Sequence, residues 1–518
     1  MIGNPLPPDR TVAVLGAGTM GAGIAWVAAR AGHVVRLYDT AKPVAAAAIS
    51  GMRERLEESV AKGRMTETEA AAMLARVVPA DDLDQLGEAA LVIEAIIEDL
   101  AVKRRVLAAL EDVVAPVAVL ATNTSSLSVT AIAGGLRLPG RVVGMHFFNP
   151  APLMPLVEIV VGSDTEPQVA ADAAATAVAW GKTPVHCSST PGFIVNRVAR
   201  PFYGEGLRML AEGVASAPTI DAVVTGAGGF PMGPFTLMDL VGLDVNLAVS
   251  KSVYEQTFHD PRFAPSVVQQ GMVDAGRLGR KTGRGFYDYR PEGPATEPVR
   301  SIVAAADGPL PPVEVVGDLG HATGIVDRLA ARGVELVTND EDGGPGRLRV
   351  GGAALVPTDG RTATELAASG VVGTEEVAVF DLVLDWASAG RIAVAEAAQA
   401  VHHPAAWLAL LVSQEMSVSA VGDAPGLVLF RIVAQLASVA ADAVLAGVAA
   451  PGAIDTAMRL GTNYPVGPLE WADRLGAATV VTVLDNMRAF YGEERYRASA
   501  MLRRSAHAAK PLREGGNR

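Results

Sequence analysis

The chain has 518 residues, half of them apolar, and its 56 acidic residues against 43 lysines and arginines give a net charge of −13. This length exceeds one ordinary domain and predicts about three or four, each with enough apolar residues for its own core. The acidic balance, with no dense basic cluster, argues against nucleic acid as a partner, because phosphate binding needs a positively charged face.

The first predicted elements form a complete strand–helix–strand unit. In order, they are a strand over 11–15, a glycine-rich turn over 16–21, a helix over 22–31 and a strand over 34–38. The first strand is short, apolar and rich in β-branched residues, as buried parallel strands are. Asp39 ends the second strand. A glycine turn, a helix and a terminal acid in this order predict a dinucleotide-binding site.

The glycines and the acid of this unit each have a predicted task. Gly16 permits the tight turn, Gly18 lets the backbone approach a pyrophosphate, and Gly21 lets the helix pack close to the strand. The carboxylate of Asp39 suits the adenine ribose hydroxyls and repels a 2′-phosphate. The unit therefore predicts NAD rather than NADP.

A single helix is predicted over about 44–73, with acidic and basic residues mixed along it as on a solvent-exposed face. Strands follow at 77–78 and 90–97. The second of these leads into Glu98, at the carboxyl end of a strand, where open α/β sheets bind their ligands.

Three further predicted strands carry polar residues at or beside them. The strand over 117–121 precedes Asn123–Ser126, the strand over 141–145 precedes His146–Pro150, and the strand over 156–161 contains Glu158. Histidine suits a general base for an alcohol because imidazole titrates near neutral pH. A carboxylate on its other nitrogen fixes the tautomer and stabilises the imidazolium.

His146 and Glu158 are therefore candidates for such a pair. They lie on successive strands, so their pairing is feasible, although a lone histidine at a strand end is more often structural. A glutamate within an apolar strand favours the pairing, because an unpaired buried carboxylate is costly.

Residues 191–290 are predicted to be mainly helical. A long helix opens at 191–197, a turn lies over 226–235 and another helix over 239–252. A segment rich in proline and glutamate, 290–299, follows as a linker between two halves of the chain.

The helical segment recurs with a constant offset of 234 residues. At this offset Pro191-Gly192 matches Pro425-Gly426, Asp221 matches Asp455, and Phe230–Pro234 matches Tyr464–Pro468. One ungapped offset predicts internal duplication. Phe430 stands where the first copy has Asn196, so the second copy lacks that polar group.

The region over 310–422 is predicted to be a shortened copy of the first domain. Strands over 313–316 and 333–336 mimic its first unit, but the intervening turn lacks the second glycine and places Asp318 where it repels phosphates. Tandem histidines, His402 and His403, suggest a metal or catalytic site, yet no glutamate follows them at the spacing seen after His146. We interpret this half as non-catalytic.

Three observations indicate a cytoplasmic protein. Cys187 is the only cysteine, which excludes an internal disulfide and fits a reducing compartment. The longest apolar segment, 427–450, is interrupted by Arg431 and Asp442, and the first ten residues do not have the pattern of a signal peptide. We expect neither a membrane span nor a secreted product.

Six segments resemble the L-3-hydroxyacyl-CoA dehydrogenase family, in order and in spacing, over residues 10–290. They are GAGTMGAGIA, IEAIIEDLAVK, NTSSLS, MHFFNPAPLMPLVEIV, TPGFIVNR and GRKTGRGFYDY. The resemblance implies NAD-dependent oxidation of a (3S)-3-hydroxyacyl-CoA to the 3-oxoacyl-CoA. The doubled helical segment is similar to long members that act on 3-hydroxybutyryl-CoA or on 3-hydroxyadipyl-CoA in phenylacetate breakdown, and the chain's architecture favours the adipyl branch.

The resemblance also implies roles for particular residues. His146 becomes the general base, Glu158 its partner, and Ser125 and Asn196 donors to the reacting oxygen or the thioester. The positions expected around NAD, besides the glycine turn and Asp39, are Glu98, Lys103, Asn149 and Lys281; those expected near the CoA nucleotide are Arg55 and Lys62. Members usually carry a small hydroxyl residue at the position of Arg55, so phosphate binding there is a looser match.

The predicted fold is an α/β Rossmann-type N-terminal domain and an all-α C-terminal domain, followed by a degenerate partial repeat of both. The predicted domains are 1–189, 190–291, 300–422 and 423–518. In this family the helical domain commonly forms a dimer interface, so the chain is expected to be a homodimer or a pseudo-dimer within one chain. Two alternatives stay open: a dehydrogenase of free hydroxy acids, and a structural protein that binds NAD without turnover.

Overall fold

The computed structural model describes residues 2–293, 296–303, 310–339, 344–412 and 416–513. Two residues of the predicted linker over 290–299, residues 294 and 295, lie outside this description. The chain forms two compact units that do not follow its linear order. One contains the residues up to Arg197 together with Ala446–Thr462, and the other contains Val198–Leu445 and the residues from Asn463 onward. The predicted division into four consecutive domains therefore stays a prediction, which describes the repeat in the sequence.

The first unit is built on an eight-stranded sheet. Its strands are β1 (Thr11–Leu15), β2 (Val35–Tyr38), β3 (Val77–Ala80), β4 (Ala89–Glu94), β5 (Val119–Thr122), β6 (Val142–Phe147), β7 (Leu156–Val161) and β8 (Thr183–Ser188). The order is β3-β2-β1-β4-β5-β6-β7-β8, and every neighbouring pair is parallel except β6 and β7. All strands predicted in this region are present, with bounds shifted by a few residues. The sheet is the predicted Rossmann type.

Six helices accompany this sheet in the chain. They are α1 (Thr19–Arg30), α2 (Lys42–Ala61), α3 (Glu67–Ala75), α4 (Leu100–Val113), α5 (Val129–Ala133) and α6 (Pro167–Ala179). The single helix predicted over 44–73 was wrong, because α2 and α3 are separate. Gly63 adopts a left-handed φ of 66°, and Thr66 and Glu69 form a capping box that starts α3.

The next six helices run from the end of the first sheet to residue 274. They are α7 (Val195–Val198), α8 (Arg200–Ala211), α9 (Ala217–Gly228), α10 (Pro234–Val241), α11 (Leu243–Gln256) and α12 (Val267–Asp274). The helix predicted over 239–252 is divided by Gly242, whose φ of 101° a right-handed helix does not allow. The long helix expected from 191 begins only at Val195 and is split into α7 and α8.

A second sheet of seven strands lies in the second unit. Its strands are β9 (Val313–Val316), β10 (Leu336–Asn339), β11 (Arg347–Val350), β12 (Ala353–Pro357), β13 (Val377–Phe380), β14 (Arg391–Glu396) and β15 (Ser417–Ala420), with helices α13 (Gly324–Ala331), α14 (Ala363–Ser369) and α15 (Ala405–Val412). The order is β10-β9-β11-β12-β13-β14-β15. Where the first sheet has parallel β4, this sheet has β11, antiparallel to both neighbours. It is a reduced form of the first sheet, as predicted.

The remaining helices are α16 (Leu429–Leu445), α17 (Pro451–Thr462), α18 (Pro468–Leu475), α19 (Ala477–Tyr491) and α20 (Ala500–Ala508). Within the described residues, no helix is both long and apolar enough to cross a membrane.

The backbone repeats along with the sequence. Phe193 and Leu427, 234 residues apart, have left-handed φ values of 47° and 51°, and each follows a glycine with φ above 70°. Positive φ is uncommon for bulky residues. The same rare conformation at matched positions supports the predicted duplication.

Candidate active site

The glycine turn after β1 has the geometry predicted for it. A Cβ on Gly16 would lie 2.5 Å from the carbonyl oxygen of Ala95, and a Cβ on Gly21 would lie 1.7 Å from the carbonyl oxygen of Gly16. Gly18, in contrast, faces open space, which leaves its backbone accessible. The amide of Ala17 donates to Oδ2 of Asp39 at 2.8 Å, so the acid lies beside the turn. These features fit a pyrophosphate and a ribose.

His146 and Glu158 face each other across antiparallel strands β6 and β7. The Nδ1 atom of His146 lies 2.6 Å from Oε2 of Glu158, and both side chains are buried. The other oxygen of Glu158 accepts from the amides of Ile194 and Val195 at 3.0 and 2.9 Å. The carboxylate is thus anchored on both sides, and it fixes the orientation of the imidazole.

The remaining nitrogen of His146, Nε2, is free to act on a substrate. It makes no hydrogen bond to the described part of the chain, and its ring packs against two phenylalanines. The ring centroids of Phe148 and Phe193 lie 4.5 and 5.9 Å from that of the imidazole. An oriented imidazole beside apolar rings suits proton transfer from an alcohol.

Ser125 and Asn196 lie together, as the resemblance implied. The side-chain amide of Asn196 donates to the carbonyl oxygen of Ser125 at 3.2 Å. Ser125 belongs to a loop after β5 that Glu98 holds in place. Oε1 of Glu98 accepts from the Ser125 amide at 3.1 Å and from the hydroxyl groups of Thr124 and Ser126 at 2.6 and 2.8 Å. Glu98 therefore positions the loop that carries Ser125.

Lys103 is enclosed by two carboxylates. Its side chain is 1 % exposed, and Nζ lies 2.5 Å from Oε1 of Glu94 and 3.3 Å from Oε2 of Glu98. Burial opposes ionisation of Glu98, but Lys103 and the hydroxyl donors outweigh it and hold the pKa of this carboxyl below its ordinary value. The charged cluster ties α4 to the carboxyl ends of β4 and β5.

Sequence reasoning missed Glu94 and gave no role of its own to Asn123. Glu94 is fully buried and accepts from the hydroxyl of Thr122 as well as from Lys103. The side-chain oxygen of Asn123 accepts from the amide of Phe147 at 2.8 Å and so ties β6 to the neighbouring loop. A signal for Glu94 exists, since it is an acid at the end of an otherwise apolar strand.

The other predicted binding residues lie apart from this cluster. Asn149 is exposed at a cis peptide bond with Pro150, and Arg55 is exposed on α2. Lys62 forms an exposed ion pair with Glu58 at 3.3 Å. Lys281 belongs to the second unit, where its ammonium lies 2.6 Å from Asp244. Their assignment to NAD or CoA stays a prediction.

In the second sheet, Asp381 occupies the place of His146. The Asp381 amide donates to the carbonyl oxygen of Ala393 at 2.9 Å across antiparallel strands. At an offset of 235 residues, this pair matches His146 and Glu158 across β6 and β7. In the second half, an aspartate therefore stands at the position of the histidine, and an alanine stands at the position of the glutamate.

Asp381 also takes over the hydrogen bonds of Glu158. Its Oδ2 accepts from the amides of Val428 and Leu429 at 3.0 and 2.6 Å, which match the amides that bind Glu158. Burial raises the pKa of Asp381 to about 6, although these amides oppose the shift. The carboxylate closes the helix terminus and leaves no imidazole there for catalysis.

The tandem histidines do not replace it. His403 is largely exposed, with Nδ1 3.3 Å from Glu396, away from the matched position. Phe430, at the place of Asn196, packs edge-on against His321 with the ring centroids 5.0 Å apart. An apolar ring thus fills the second half's counterpart of the polar site.

Three family models match parts of this chain. Residues 11–190 match the NAD-binding domain of 3-hydroxyacyl-CoA dehydrogenase, and its C-terminal domain matches twice, at 192–289 and at 426–518. Residues 355–425 match the reduced Rossmann-fold domain of 3-hydroxybutyryl-CoA dehydrogenase.

Individual relatives span either the whole chain or its first half. The chain is 43 % identical to the 3-hydroxyadipyl-CoA dehydrogenase of Escherichia coli K12, over 96 % of this chain and 97 % of that protein. A crystal structure of 3-hydroxybutyryl-CoA dehydrogenase from Escherichia coli K12 superposes with a TM-score of 0.87 at 42 % identity, over 96 % of this chain and 98 % of that one. A probable 3-hydroxybutyryl-CoA dehydrogenase of Bacillus subtilis is 41 % identical over 54 % of this chain and 97 % of that protein.

Proposed function

Because the chain belongs to the 3-hydroxyacyl-CoA dehydrogenase family, we propose that His146, oriented by Glu158, is the general base of its reaction. The chain is an NAD-dependent oxidoreductase that oxidises 3-hydroxyacyl-CoA to 3-oxoacyl-CoA. The observation that carries the proposal is the 2.6 Å contact between Nδ1 of His146 and the buried, doubly anchored Glu158.

The proton path follows from this contact. Since Nδ1 is held by Glu158, Nε2 accepts the proton of the substrate hydroxyl, and the carboxylate stabilises the imidazolium that forms. Ser125 and Asn196 lie together in the same unit and orient the reacting oxygen or the thioester carbonyl. The apolar rings of Phe148 and Phe193 exclude water from the imidazole.

The glycine turn and Asp39 hold the cofactor in this proposal. Gly18 offers an accessible backbone for the pyrophosphate, and the carboxylate of Asp39 accepts from the ribose hydroxyls. When bound, NAD supplies the hydride acceptor. Asn149 is proposed to complete the cofactor site, Glu98 and Lys103 to position the loop beside it, and Arg55 and Lys62 to contact the CoA nucleotide. The role of Lys281, which belongs to the second unit, stays a prediction from the sequence.

We propose 3-hydroxyadipyl-CoA as the substrate in preference to 3-hydroxybutyryl-CoA. The support is the 3-hydroxyadipyl-CoA dehydrogenase that this chain matches over 97 % of its length, although the equally long solved structure carries the 3-hydroxybutyryl name. The cytoplasm is the proposed location. A dehydrogenase of free hydroxy acids is the second candidate, and a panel of C4, C6, C8 and adipyl 3-hydroxyacyl-CoA esters beside free hydroxy acids, each with NAD and NADP, separates the two.

His146→Gln is expected to reduce kcat by at least about a thousandfold on every ester in that panel, since the base is lost. The dissociation constant of NAD stays within about threefold of the wild-type value. His403→Gln is the matched control, because His403 also has a carboxylate at Nδ1 but lies exposed in the second half. Activity retained by His146→Gln contradicts the assignment and indicates a working site elsewhere in the chain.

We also propose that the two repeats form a pseudo-dimer within one chain. In the first unit, the amide of Ser188 donates to the carbonyl oxygen of Val448 at 2.8 Å. In the second unit, the amide of Gly422 donates to the carbonyl oxygen of Val214 at 2.7 Å. At the offset of 234 these are the same contact with the repeats exchanged, as a two-fold relation requires. We propose that the second repeat is non-catalytic. Within the same chain, it supplies the surface that a second subunit supplies in a homodimer.

A further inference from the structure

Helix α17, from the second repeat, packs on the catalytic sheet of the first unit. It follows Gly447 and Val448, whose carbonyl oxygens accept from the Oγ and the amide of Ser188 at 2.5 and 2.8 Å. Ser188 ends β8, and the helix lies against β7 and β8. Ala446–Thr462 therefore forms part of the same compact unit as His146.

The carboxyl-terminal end of α17 has no room for a side chain at Gly461. A Cβ there would lie 2.7 Å from Cδ2 of Leu156, 3.0 Å from Cγ2 of Val195 and 3.7 Å from Cε1 of Phe148. Contacts below about 3 Å force the neighbouring atoms to move, because protein interiors are close-packed. The end of the helix is therefore packed close to Leu156 and Val195, with Phe148 slightly farther away.

All three residues adjoin the proposed catalytic pair. The ring of Phe148 lies 4.5 Å from the ring of His146, between centroids. The amide of Val195 donates to Glu158 at 2.9 Å, and Leu156 lies on β7, two residues before Glu158. A single layer of side chains therefore separates Gly461 from His146 and Glu158, so a side chain added at Gly461 displaces residues that adjoin this pair.

We propose that the end of α17 forms part of the wall of the acyl pocket, and that Gly461 determines which acyl groups the enzyme accepts. This proposal rests on His146 as the catalytic base. Gly461 acts through Phe148, Leu156 and Val195 rather than by touching the reacting atoms, so it is a positioning residue. The degenerate repeat then contributes to specificity, although it has lost its own catalytic pair.

The test is the ratio of kcat/KM for 3-hydroxyadipyl-CoA to kcat/KM for 3-hydroxybutyryl-CoA. Gly461→Val drives Phe148 and Leu156 toward the substrate, and the larger acyl group loses more, so we expect the ratio to change by at least about tenfold. The dissociation constant of NAD stays within about twofold. A loss of folded protein alone lowers both kcat/KM values equally and leaves the ratio unchanged.

Gly452→Val is the matched control. Gly452 lies at the start of the same helix, and its Cβ would face open space, so this variant has the same type of side chain in the same helix without the contact. We expect its ratio to equal that of the wild type. If Gly461→Val does not fold, Gly461→Ala gives the same readout with a smaller shift, since its Cβ still meets Leu156.

A ratio within twofold of the wild type in the folded Gly461 variant overturns the proposal. Activity retained by His146→Gln is a separate failure, because it overturns the catalytic site and not the packing of α17. The two outcomes are therefore distinguishable in one set of purified proteins.

Discussion

At the scale of single residues, the site depends on carboxylates that hold other groups in place. Glu158 orients the imidazole, and Glu98 holds the loop of Ser125 through hydrogen bonds to Thr124, Ser125 and Ser126. Charge-assisted hydrogen bonds of this kind are stronger than neutral ones. The position of the Ser125 hydroxyl therefore follows from a side chain that need not touch the substrate.

Glu98→Gln is expected to lower kcat/KM for acyl-CoA by about 10- to 100-fold, because a displaced loop misorients the groups that hold the substrate. The dissociation constant of NAD, measured by fluorescence titration, changes by less than about threefold. Glu54→Gln, at an exposed carboxylate on α2, is the control and leaves both values unchanged. Lost NAD affinity with unchanged acyl-CoA kinetics contradicts the loop role and favours a direct cofactor contact.

At the scale of elements, helices α8 and α16 of the second unit meet at a buried charge. Arg431 on α16 is fully buried, with Nε 2.7 Å from Glu205 on α8 and Nη2 2.8 Å from the hydroxyl of Tyr496. Burial alone raises the pKa of Glu205, but Arg431 outweighs it and lowers the net value. A buried ion pair adds little net stability, yet the loss of one partner is costly. The pair thus specifies how helix α8 of the first repeat packs against helix α16 of the second.

Arg431→Met is expected to lower the free energy of unfolding by about 3–5 kcal/mol, since it removes the 2.7 Å partner of the buried Glu205 and leaves the longer contact with Arg495, at 3.5 Å. Urea titration measures this, and Arg431→Met with Glu205→Leu recovers part of the loss. The folded state depresses the pKa of Glu205, so its stabilisation is present above its unfolded pKa, near 4.5, and is lost as the pH falls through the lowered value.

Arg474→Met is the control, because it removes an arginine from an exposed ion pair instead of a buried one. Arg474 pairs with Glu470 at 2.6 Å across one helical turn, and its side chain is 56 % exposed. Exposed pairs contribute between zero and about 1 kcal/mol. If Arg431→Met lowers the free energy of unfolding no more than Arg474→Met does, the buried pair does not specify how the two helices pack.

At the scale of the whole molecule, the second repeat lacks the His146–Glu158 pair of the first, and its helix α17 covers strands β7 and β8. Strand β7, which is apolar apart from Glu158, and strand β8 lie under α17, and the amide of Ser188 donates to Val448 in the segment before that helix. An uncovered apolar sheet face associates with other surfaces. Under the proposed pseudo-dimer, the second repeat therefore supports the first by covering this part of its sheet.

Deletion of residues 300–518 is expected to lower the thermal unfolding midpoint or to change the association state from that of the 53.4 kDa chain, because α17 is removed from the sheet. Sedimentation velocity measures the association state, and titration measures NAD affinity, which changes less. The full chain is the reference in both measurements. A truncated chain that stays soluble, with the same stability and the same association state, contradicts the pseudo-dimer.

The sequence by itself determined the features that depend on local chain chemistry. The turn of Gly16, Gly18 and Gly21 is recognisable because its backbone conformation and its close contacts require glycine. Asp39 comes after it at the spacing that one helix and one strand impose. His146 and Glu158 were recognisable because each lies in or beside an apolar strand where a polar residue needs a partner. These patterns need no knowledge of distant segments.

Only the tertiary structure decided the features that depend on register and on packing across the chain. Asp381 replaces His146 through the alignment of β13 with β14, and no motif of the sequence singled out that aspartate. Gly461 contacts Leu156 although some 300 residues separate them. Strand pairing and close packing bring such residues together, and no local pattern encodes them. The order of strands, turns and motifs in the first half was therefore predictable from the sequence, whereas the place of Asp381 and the packing of α17 were not.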